Sequence, residues 1–404
     1  MNLKLAWRNL WRNKRRSMIT IASIAFAVFF ACLMMSMQLG SYSKMIENAV
    51  SFQTGYLQVQ DSAYWQEKTL DNTFVSGDSL LSEIEKPEGI SIVVPRLQSF
   101  ALASYRSQTK GVMVIGMDPE REDRMTRAKS KLVRGTYLDR DDKGVLVSEG
   151  LASYLGVDAG DTLVMISQGY HGINAAGKYA IQGIVKFPSP EMNNQLVYMP
   201  LAEAQWFYGA ENRLTALALM VEEPEQVAQV SQQLRASLPA QFEVMNWREM
   251  MPELVQSIEL DYVSGMIMLY ILYVVIGFGI FGTFLMMTNE RRYEFGILIS
   301  IGMQRLRLQW VMLSEIVLMG LIGVVVGILM SSPLIFYFHA NPILMTGEYA
   351  ELYAQFGMEP VLPFSIDPSI FFRQAIVVFI MAMIIGIYPV IAIQKLDPAT
   401  AMRE

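Results

Sequence analysis

The chain has 404 residues; 52% are apolar, 17% are charged and the mean hydropathy is +0.30. Soluble domains carry about 25% charge, so a protein made only of soluble domains is excluded. A single cysteine, Cys32, excludes an intrachain disulfide and a cysteine-based zinc site, and two histidines, His171 and His339, leave little room for histidine chemistry.

Residues 1–16 carry Lys4, Arg8, Arg12, Lys14, Arg15 and Arg16 and no acid. The next 27 residues, Ser17–Ser43, hold no Asp, Glu, Lys or Arg. About 20 apolar residues span a bilayer, so this is a first span rather than a signal peptide. It is too long for a signal's apolar region, and no small-residue cleavage site follows it. Three more charge-free stretches occur: Tyr262–Asn289, Ile316–Gly347 and Gln374–Gln394. Four spans are expected, roughly 18–39, 263–288, 310–338 and 374–393.

Between the first two spans lies Lys44–Asp261, with 19 basic and 29 acidic residues. Its composition is that of an ordinary water-soluble domain, and strand and helix signals alternate along it. Tyr56–Gln60, Ile92–Val94, Val112–Ile115, Val145–Val147, Thr162–Ile166, Tyr179–Phe187, Leu196–Met199 and Leu214–Val221 read as strands. Asp118-Pro119 starts a helix with Asp as cap and Pro at the first helical position. Ser148 is a candidate cap for Glu149–Leu155. Pro200–Tyr208 and Glu225–Leu238 read as helices, the second with Val227, Val230 and Leu234 on one face. Residues 246–261 read as a helix entering the second span, with Pro252 in its first turn if Asn246–Met251 form a separate turn and kinking the helix otherwise. The fold class is therefore an α-helical membrane protein with four transmembrane helices. A large α+β extracytoplasmic domain is inserted between helices 1 and 2. The expected divisions are 1–43, 44–261 and 262–404.

Charge sets the expected topology. Short basic flanks stay on the cytoplasmic side, and residues 289–309 carry Arg291, Arg292, Arg305 and Arg307 against Glu290 and Glu294. Both termini and this turn are expected in the cytoplasm of a multi-pass inner-membrane protein. The domain and residues 339–373 are expected outside.

Chemistry-bearing motifs are sparse. Gly172-Ile-Asn-Ala-Ala-Gly177-Lys178 fits the spacing of a phosphate loop, but Tyr179 stands where Ser or Thr should hold magnesium, and a strand follows where a helix should. His171 beside it reads as a solvated turn residue. After span two, Tyr293, Ile297 and Ile301 recur every four residues on one helical face behind a charged start. That segment is either an interfacial anchor or a docking helix. Gly277, Gly279 and Gly282 in span two, and Gly320, Gly323 and Gly327 in span three, allow close helix packing. Gly323 and Gly327 form a GxxxG pair. Glu315 is the sole acid within a span. It is either a functional or pairing group facing the bundle interior, or a carboxylate that reaches the interface or is neutral and hydrogen-bonded to a neighbour. No polar path for a solute and no inverted repeat are evident.

Three segments carry a resemblance. Ala6-Trp-Arg-Asn-Leu-Trp-Arg-Asn-Lys-Arg-Arg16, Asn289-Glu-Arg-Arg-Tyr-Glu-Phe-Gly-Ile-Leu-Ile-Ser-Ile-Gly302 and Leu396-Asp-Pro-Ala-Thr-Ala-Met-Arg403 resemble the MacB-like, or FtsX-like, ABC transporter permeases. Val94-Pro-Arg96, Gly116-Met-Asp-Pro119, Gly135, Gly160-Asp161 and Gly183-Ile-Val185 are similar to the lipoprotein-releasing branch. The resemblance covers essentially the whole chain. It implies a non-catalytic permease that dimerises, as a homodimer or with a related subunit, and recruits cytoplasmic ATPase subunits. ATP and magnesium would sit on that partner, with no cofactor, metal or nucleic acid on this chain. The family's ATPase-contacting helix falls on Asn289, Glu290, Arg291, Arg292, Tyr293, Glu294, Phe295, Gly296 and on to Gly302. Motion would pass up the first two spans to the outer domain, releasing lipoproteins or other amphiphiles. The alternatives are MacB-like efflux of peptides or drugs and FtsX-like control of an extracytoplasmic enzyme. MacB itself carries its ATPase on the same chain, and FtsX has a smaller domain; both are departures. A carrier-gripping loop in lipoprotein-releasing relatives would fall on Ser167–Lys178, which is short and rich in Gly and Ala.

Overall fold

A computed structural model describes residues 2–12, 14–75, 77–187, 189–348, 350, 353 and 360–397. Of the C-terminal motif, Leu396 and Asp397 lie within the described residues. The loop acids Glu351 and Glu359 lie outside them. The chain divides into two compact units, described separately below.

The membrane unit comprises Met1–Ser43, Ser257–Leu344 and Val361–Glu404. Four helices are long and apolar enough to cross a membrane: Ser17–Thr54, Pro252–Glu290, Arg305–Ala340 and Pro368–Gln394. Each runs past at least one end of its charge-free stretch, because polar residues continue the helix, and the third stops at Ala340, short of Gly347. The boundary at Pro252 follows the sequence closely. Asn246 caps a separate short helix, Trp247–Met250, in a reciprocal capping box with Glu249, and Pro252 then opens the long helix. Spans one, three and four share one core, including Ile24, Val28, Met312, Ile316, Met319, Val378 and Ala382. The GxxxG pair serves contacts inside this chain. A Cβ on Gly323 would meet Ile24 Cβ at 2.7 Å, and one on Gly327 would meet Val28 Cβ at 2.7 Å. Spans one and three therefore touch backbone to side chain at these two turns. Beyond span three, Ser365 N donates to Ser36 O at 2.9 Å and Ser36 Oγ donates to Ser365 O at 2.6 Å. That pins the segment after Val361–Leu362 against span one.

The inserted unit comprises Lys44–Gln256 with Met345–Pro360. Its strands are β1 (Leu57–Asp61), β2 (Phe74–Val75), β3 (Ile90–Tyr105), β4 (Gln108–Met117), β5 (Leu132–Gly135) and β6 (Val145–Ser148). They continue with β7 (Thr162–Gln168), β8 (Asn174–Val185), β9 (Leu196–Pro200), β10 (Arg213–Leu214), β11 (Ala216–Val221) and β12 (Phe242–Asn246). Six of them pair in a closed ring, β3–β4–β9–β6–β8–β7 and back to β3. Closure follows from alternation. Leu97, Ala101, Ala103, Val112, Val114, Val147, Leu163, Met165, Ile181 and Val197 point inward and fill the barrel. The first half of β3 leaves the barrel to join β12–β1–β11 in an antiparallel sheet, with Leu57 opposite Leu219. Helix Val227–Ser237 covers that sheet through Val230 and Leu234.

Local expectations and structure diverge in two informative places. Asp118 caps helix Pro119–Thr126 as its sequence suggests, accepting from the backbone N–H groups of Glu120 and Arg121. Ser148 precedes helix Glu149–Leu155 but does not cap it; its hydroxyl accepts instead from Leu196 N at 3.2 Å. The short strand expected at Ile92–Val94 is a sixteen-residue strand. It runs straight through Arg96, which is fully buried. Arg96 forms two hydrogen bonds to Glu122, of 2.9 and 2.6 Å, and Tyr198 adds a third to the same carboxylate at 3.1 Å.

Candidate coupling site

The candidate site is assembled around the turn between spans two and three. Span two stays helical through Asn289 and Glu290. Arg291 breaks the helix at φ −95°, and a new helix, Arg292–Ser300, turns away. Two residues past its end comes Gly302, whose φ of +103° only glycine adopts without strain. Gln304 then precedes span three.

Arg291 does not face water. It is 7% exposed, and its guanidinium donates from Nη1 to Glu315 Oε2 at 2.5 Å. Glu315, nearly three turns into the Arg305–Ala340 helix, is 3% exposed. Its other oxygen accepts from Asn9 Nδ2 at 2.6 Å. Asn9 belongs to an N-terminal helix, Asn2–Arg12, that buries Ala6 and Leu10 and leaves Trp7 and Trp11 exposed. At the end of that helix Arg12 donates to Glu294 Oε2 at 2.6 Å, and Glu294 lies 3.5 Å from Arg291 Nε. Arg291 Cζ also stands 5.2 Å from the centre of the buried Phe295 ring.

The five polar residues Asn9, Arg12, Arg291, Glu294 and Glu315 thus tie together three helices and a turn. Two ions leaving water carry a desolvation cost that only close pairing and further hydrogen bonds offset. Both oxygens of Glu315 are used, one by Arg291 of the turn and the other by Asn9 of the N-terminal helix. The sequence held no basic partner for Glu315 within the spans. The structure supplies one from the turn, because the break at Arg291 folds its side chain back over span three.

The other predicted residues fall into two groups. Tyr293 is 54% exposed and Ile301 79% exposed, whereas Phe295 and Gly296 are buried against the bundle. The short helix therefore has a held side and a free side. Among the glycines, Gly320 lies under Phe379, with a would-be Cβ 3.1 Å from the ring, and Gly323 and Gly327 meet span one. Gly277 is in ordinary contact with Met381 and Ile385, and Gly279 and Gly282 face open space. Of the four spans, span two is the least covered, with 17% of its most apolar stretch buried.

Sequence reasoning missed Asn9, Arg12 and the N-terminal helix itself. Ala6, Asn9 and Leu10 lie three and four residues apart, so they share a face, and that was the available signal. It also missed Arg305, which donates to Gln394 O at 2.9 Å and Leu396 O at 3.0 Å. That cation satisfies carbonyls left open at the end of span four.

In the inserted unit, Gly177 and Lys178 lie within β8, so no helix N-terminus stands behind the phosphate-loop look-alike. The β7–β8 hairpin is paired up to Gln168 and Asn174, leaving a five-residue loop. The loop folds back on its own domain. His171 N donates to Asp71 Oδ1 at 2.9 Å, Tyr170 N donates to Tyr208 O at 2.8 Å, and Arg213 stacks on the Tyr170 ring at 4.3 Å.

Family models place this arrangement. Residues 17–237 match the MacB-like periplasmic core domain, and residues 266–398 match the FtsX-like permease C-terminal. The chain belongs to the MacB/FtsX-like ABC transporter permeases. Among the relatives of this permease is the "Lipoprotein-releasing system transmembrane protein LolC" of Neisseria meningitidis, 22% identical over 77% of this chain and 75% of that one. The protein of the same name from Xylella fastidiosa is 20% identical over 76% of each chain. An uncharacterized ABC transporter permease protein of Mycobacterium tuberculosis is 23% identical over 67% of this chain and 30% of its own length. Among solved structures, the periplasmic region of MacB from Actinobacillus actinomycetemcomitans covers 54% of this permease and 98% of its own chain, with 15% identity and a TM-score of 0.36. The extracellular domain of YknZ from Gram-positive bacteria covers 48% and 100%, with 15% identity and a TM-score of 0.35.

Proposed function

We propose that this permease is driven by a separate cytoplasmic ATPase that docks on the free side of helix Arg292–Ser300, and that it releases lipoproteins or related amphiphiles from the inner membrane. The observation that carries the reading is the held-and-free geometry of that helix. Arg291, Phe295 and the Glu315 pair lock one side to the spans, while Tyr293 and Ile301 are exposed together beside it. A push on such a helix moves the spans it is fastened to instead of sliding over them. ATP and magnesium belong to the partner, and the turn and both termini lie in the cytoplasm with it. A second permease subunit, identical or related, covers the bare face of span two. The long helices entering and leaving the inserted domain carry the motion outward.

The lipoprotein cargo is supported by the LolC relatives at 20–22% identity. We assign no carrier-gripping role to the β7–β8 loop, because Asp71, Tyr208 and Arg213 already hold it. Depletion of the permease followed by membrane fractionation tests the cargo. Retention of lipoproteins in the inner membrane is expected, and unchanged sorting overturns it. Loss of peptide efflux with sorting intact would point to the efflux reading, and altered cell-wall hydrolase activity to the regulatory one.

A further inference from the structure

The inserted unit contains a cavity of about 240 Å³ that includes none of the residues around the Arg291 turn. Tyr64, Trp65, Phe100, Met113 and Met192 give it apolar walls. Methionine is unbranched and polarizable, so such walls adapt to apolar groups of different shape.

Four glutamines, Gln53, Gln58, Gln98 and Gln195, line the same cavity. Among the described residues, none of their side-chain amides makes a hydrogen bond to the protein. Gln58 is the decisive one, because it sits mid-strand on β1 and is 4% exposed. Its amide opens onto the cavity, so whatever fills the cavity supplies its hydrogen bonds. A primary amide asks for both an acceptor and a donor. A hydrocarbon chain supplies neither, and an ester supplies only an acceptor. A peptide group supplies both. The charged lining groups are one cation and one anion, Lys68 and Glu191, both exposed. The buried part of the site therefore suits an uncharged occupant.

The cavity continues onto the barrel's outer surface. Phe100, one of its walls, is 58% exposed. Two residues along β3, Leu102 is 53% exposed, and its partner across to β7, Ile166, is also 53% exposed. On the other side Leu102 faces Gly111 of β4, above which there is open space. A contiguous apolar row thus leads away from the amide-lined cavity.

We propose that this cavity and the Phe100–Leu102–Ile166 row bind an extended, uncharged apolar peptide segment, with its backbone amides paired to the glutamines. As a binding site it stands on this geometry alone; as a contact for cargo it rests on the permease reading above.

The test uses the full chain in lipid nanodiscs and a fluorescent peptide of alternating leucine and serine with blocked ends. Saturable binding is expected. Gln58→Leu and Phe100→Ser should each weaken it about tenfold, and Trp206→Ala, on a different part of the domain, should leave it unchanged. Phe100 is exposed, so its replacement keeps the test valid if Gln58→Leu perturbs folding. Absence of peptide binding, or equal binding by Phe100→Ser and the unaltered protein, overturns the proposal. So does displacement of the peptide by a soluble alkyl-chain lipid at equal concentration, which would make the site one for acyl chains. Peptide binding alongside unchanged lipoprotein sorting would overturn the cargo assignment and leave the site standing; the reverse result would do the opposite.

Discussion

Arg291 and Glu315 meet at 2.5 Å in a place where neither residue is more than a tenth exposed, although they are 24 positions apart. Asn9 occupies the second oxygen of Glu315. The end of span two, the start of span three and the N-terminal helix are therefore registered by a single carboxylate.

Removing one ion of this pair strands the other. Glu315→Ala should cost about 3–5 kcal/mol and lower the melting temperature of the purified permease. Arg291→Ala should do the same. Glu315→Gln keeps a hydrogen-bonding group toward Arg291 and should lose less. If all three variants melt with the unaltered protein, the pair does not hold the turn.

The free side of the short helix should behave differently. Tyr293→Ala and Ile301→Ala truncate exposed groups, and such changes alter stability by about 0.5 kcal/mol or less. At a protein interface, truncating a central aromatic anchor typically costs about 2 kcal/mol or more. ATPase binding to the reconstituted permease should therefore weaken more than tenfold with the melting temperature unchanged. Normal ATPase recruitment by both variants would move the docking surface elsewhere. Charge reversal at Arg291 cannot serve as this test, because its loss would act through the buried pair.

What was legible in the sequence follows the range of the interaction concerned. The four spans were visible because a bilayer excludes charge over a contiguous run. At Pro252 the sequence left two alternatives, a separate turn over Asn246–Met251 or a kink, and the capping box of Asn246 with Glu249 decides for the first. The length of β3 was not, because Arg96 reads as a surface charge until Glu122 and Tyr198 are brought beside it. Barrel closure was hidden for the same reason, since β3 meets β7 only through pairings such as Leu102 with Ile166. Arg291 lay in a run of charges and looked solvated. Its partner is in the next span, and no local pattern reports that.

The glycines separate packing within the chain from packing between chains. At Gly323 a methyl group would lie 2.7 Å from Ile24. Gly323→Ala and Gly327→Ala should each destabilise the chain by about 1–3 kcal/mol. A Cβ at Gly279 or Gly282 would meet no other part of the described residues within 4 Å, so alanine there should leave the melting temperature of the monomer unchanged or slightly raised. If a second subunit covers span two, leucine at either position should shift the monomer–dimer balance measured by light scattering. An unchanged balance would take the dimer contact off this face.

Arg96 and Glu122 form the corresponding pair in the inserted domain, both fully buried. Arg96→Met leaves a buried carboxylate with Tyr198 as its remaining side-chain partner and should cost about 3–5 kcal/mol. Adding Glu122→Leu removes the stranded charge, and the double variant should recover much of that loss. Chemical denaturation of the two variants measures the difference. A double variant no more stable than Arg96→Met alone would show that the pair contributes through its shape and not its charge.

The same domain should be sensitive to alkali in a defined direction. Burial pushes the Tyr64 hydroxyl up from 10 to about 12. Burial, followed by the neighbouring Glu122 charge, raises Tyr198 well above the usual tyrosine range. Unfolded tyrosines begin to ionise near pH 10, while these two keep their protons in the fold. The unfolded chain then binds fewer protons than the native one, so stability falls as pH rises. Their contribution is complete below about pH 10 and for Tyr64 is lost as pH climbs through about 12. Tyrosinate absorbance followed together with circular dichroism should show the buried groups ionising only as the domain unfolds. Tyr64→Phe should remove its share of the alkaline loss. Ionisation of every tyrosine near pH 10 with the fold intact would mean that neither hydroxyl is as secluded as its surroundings indicate.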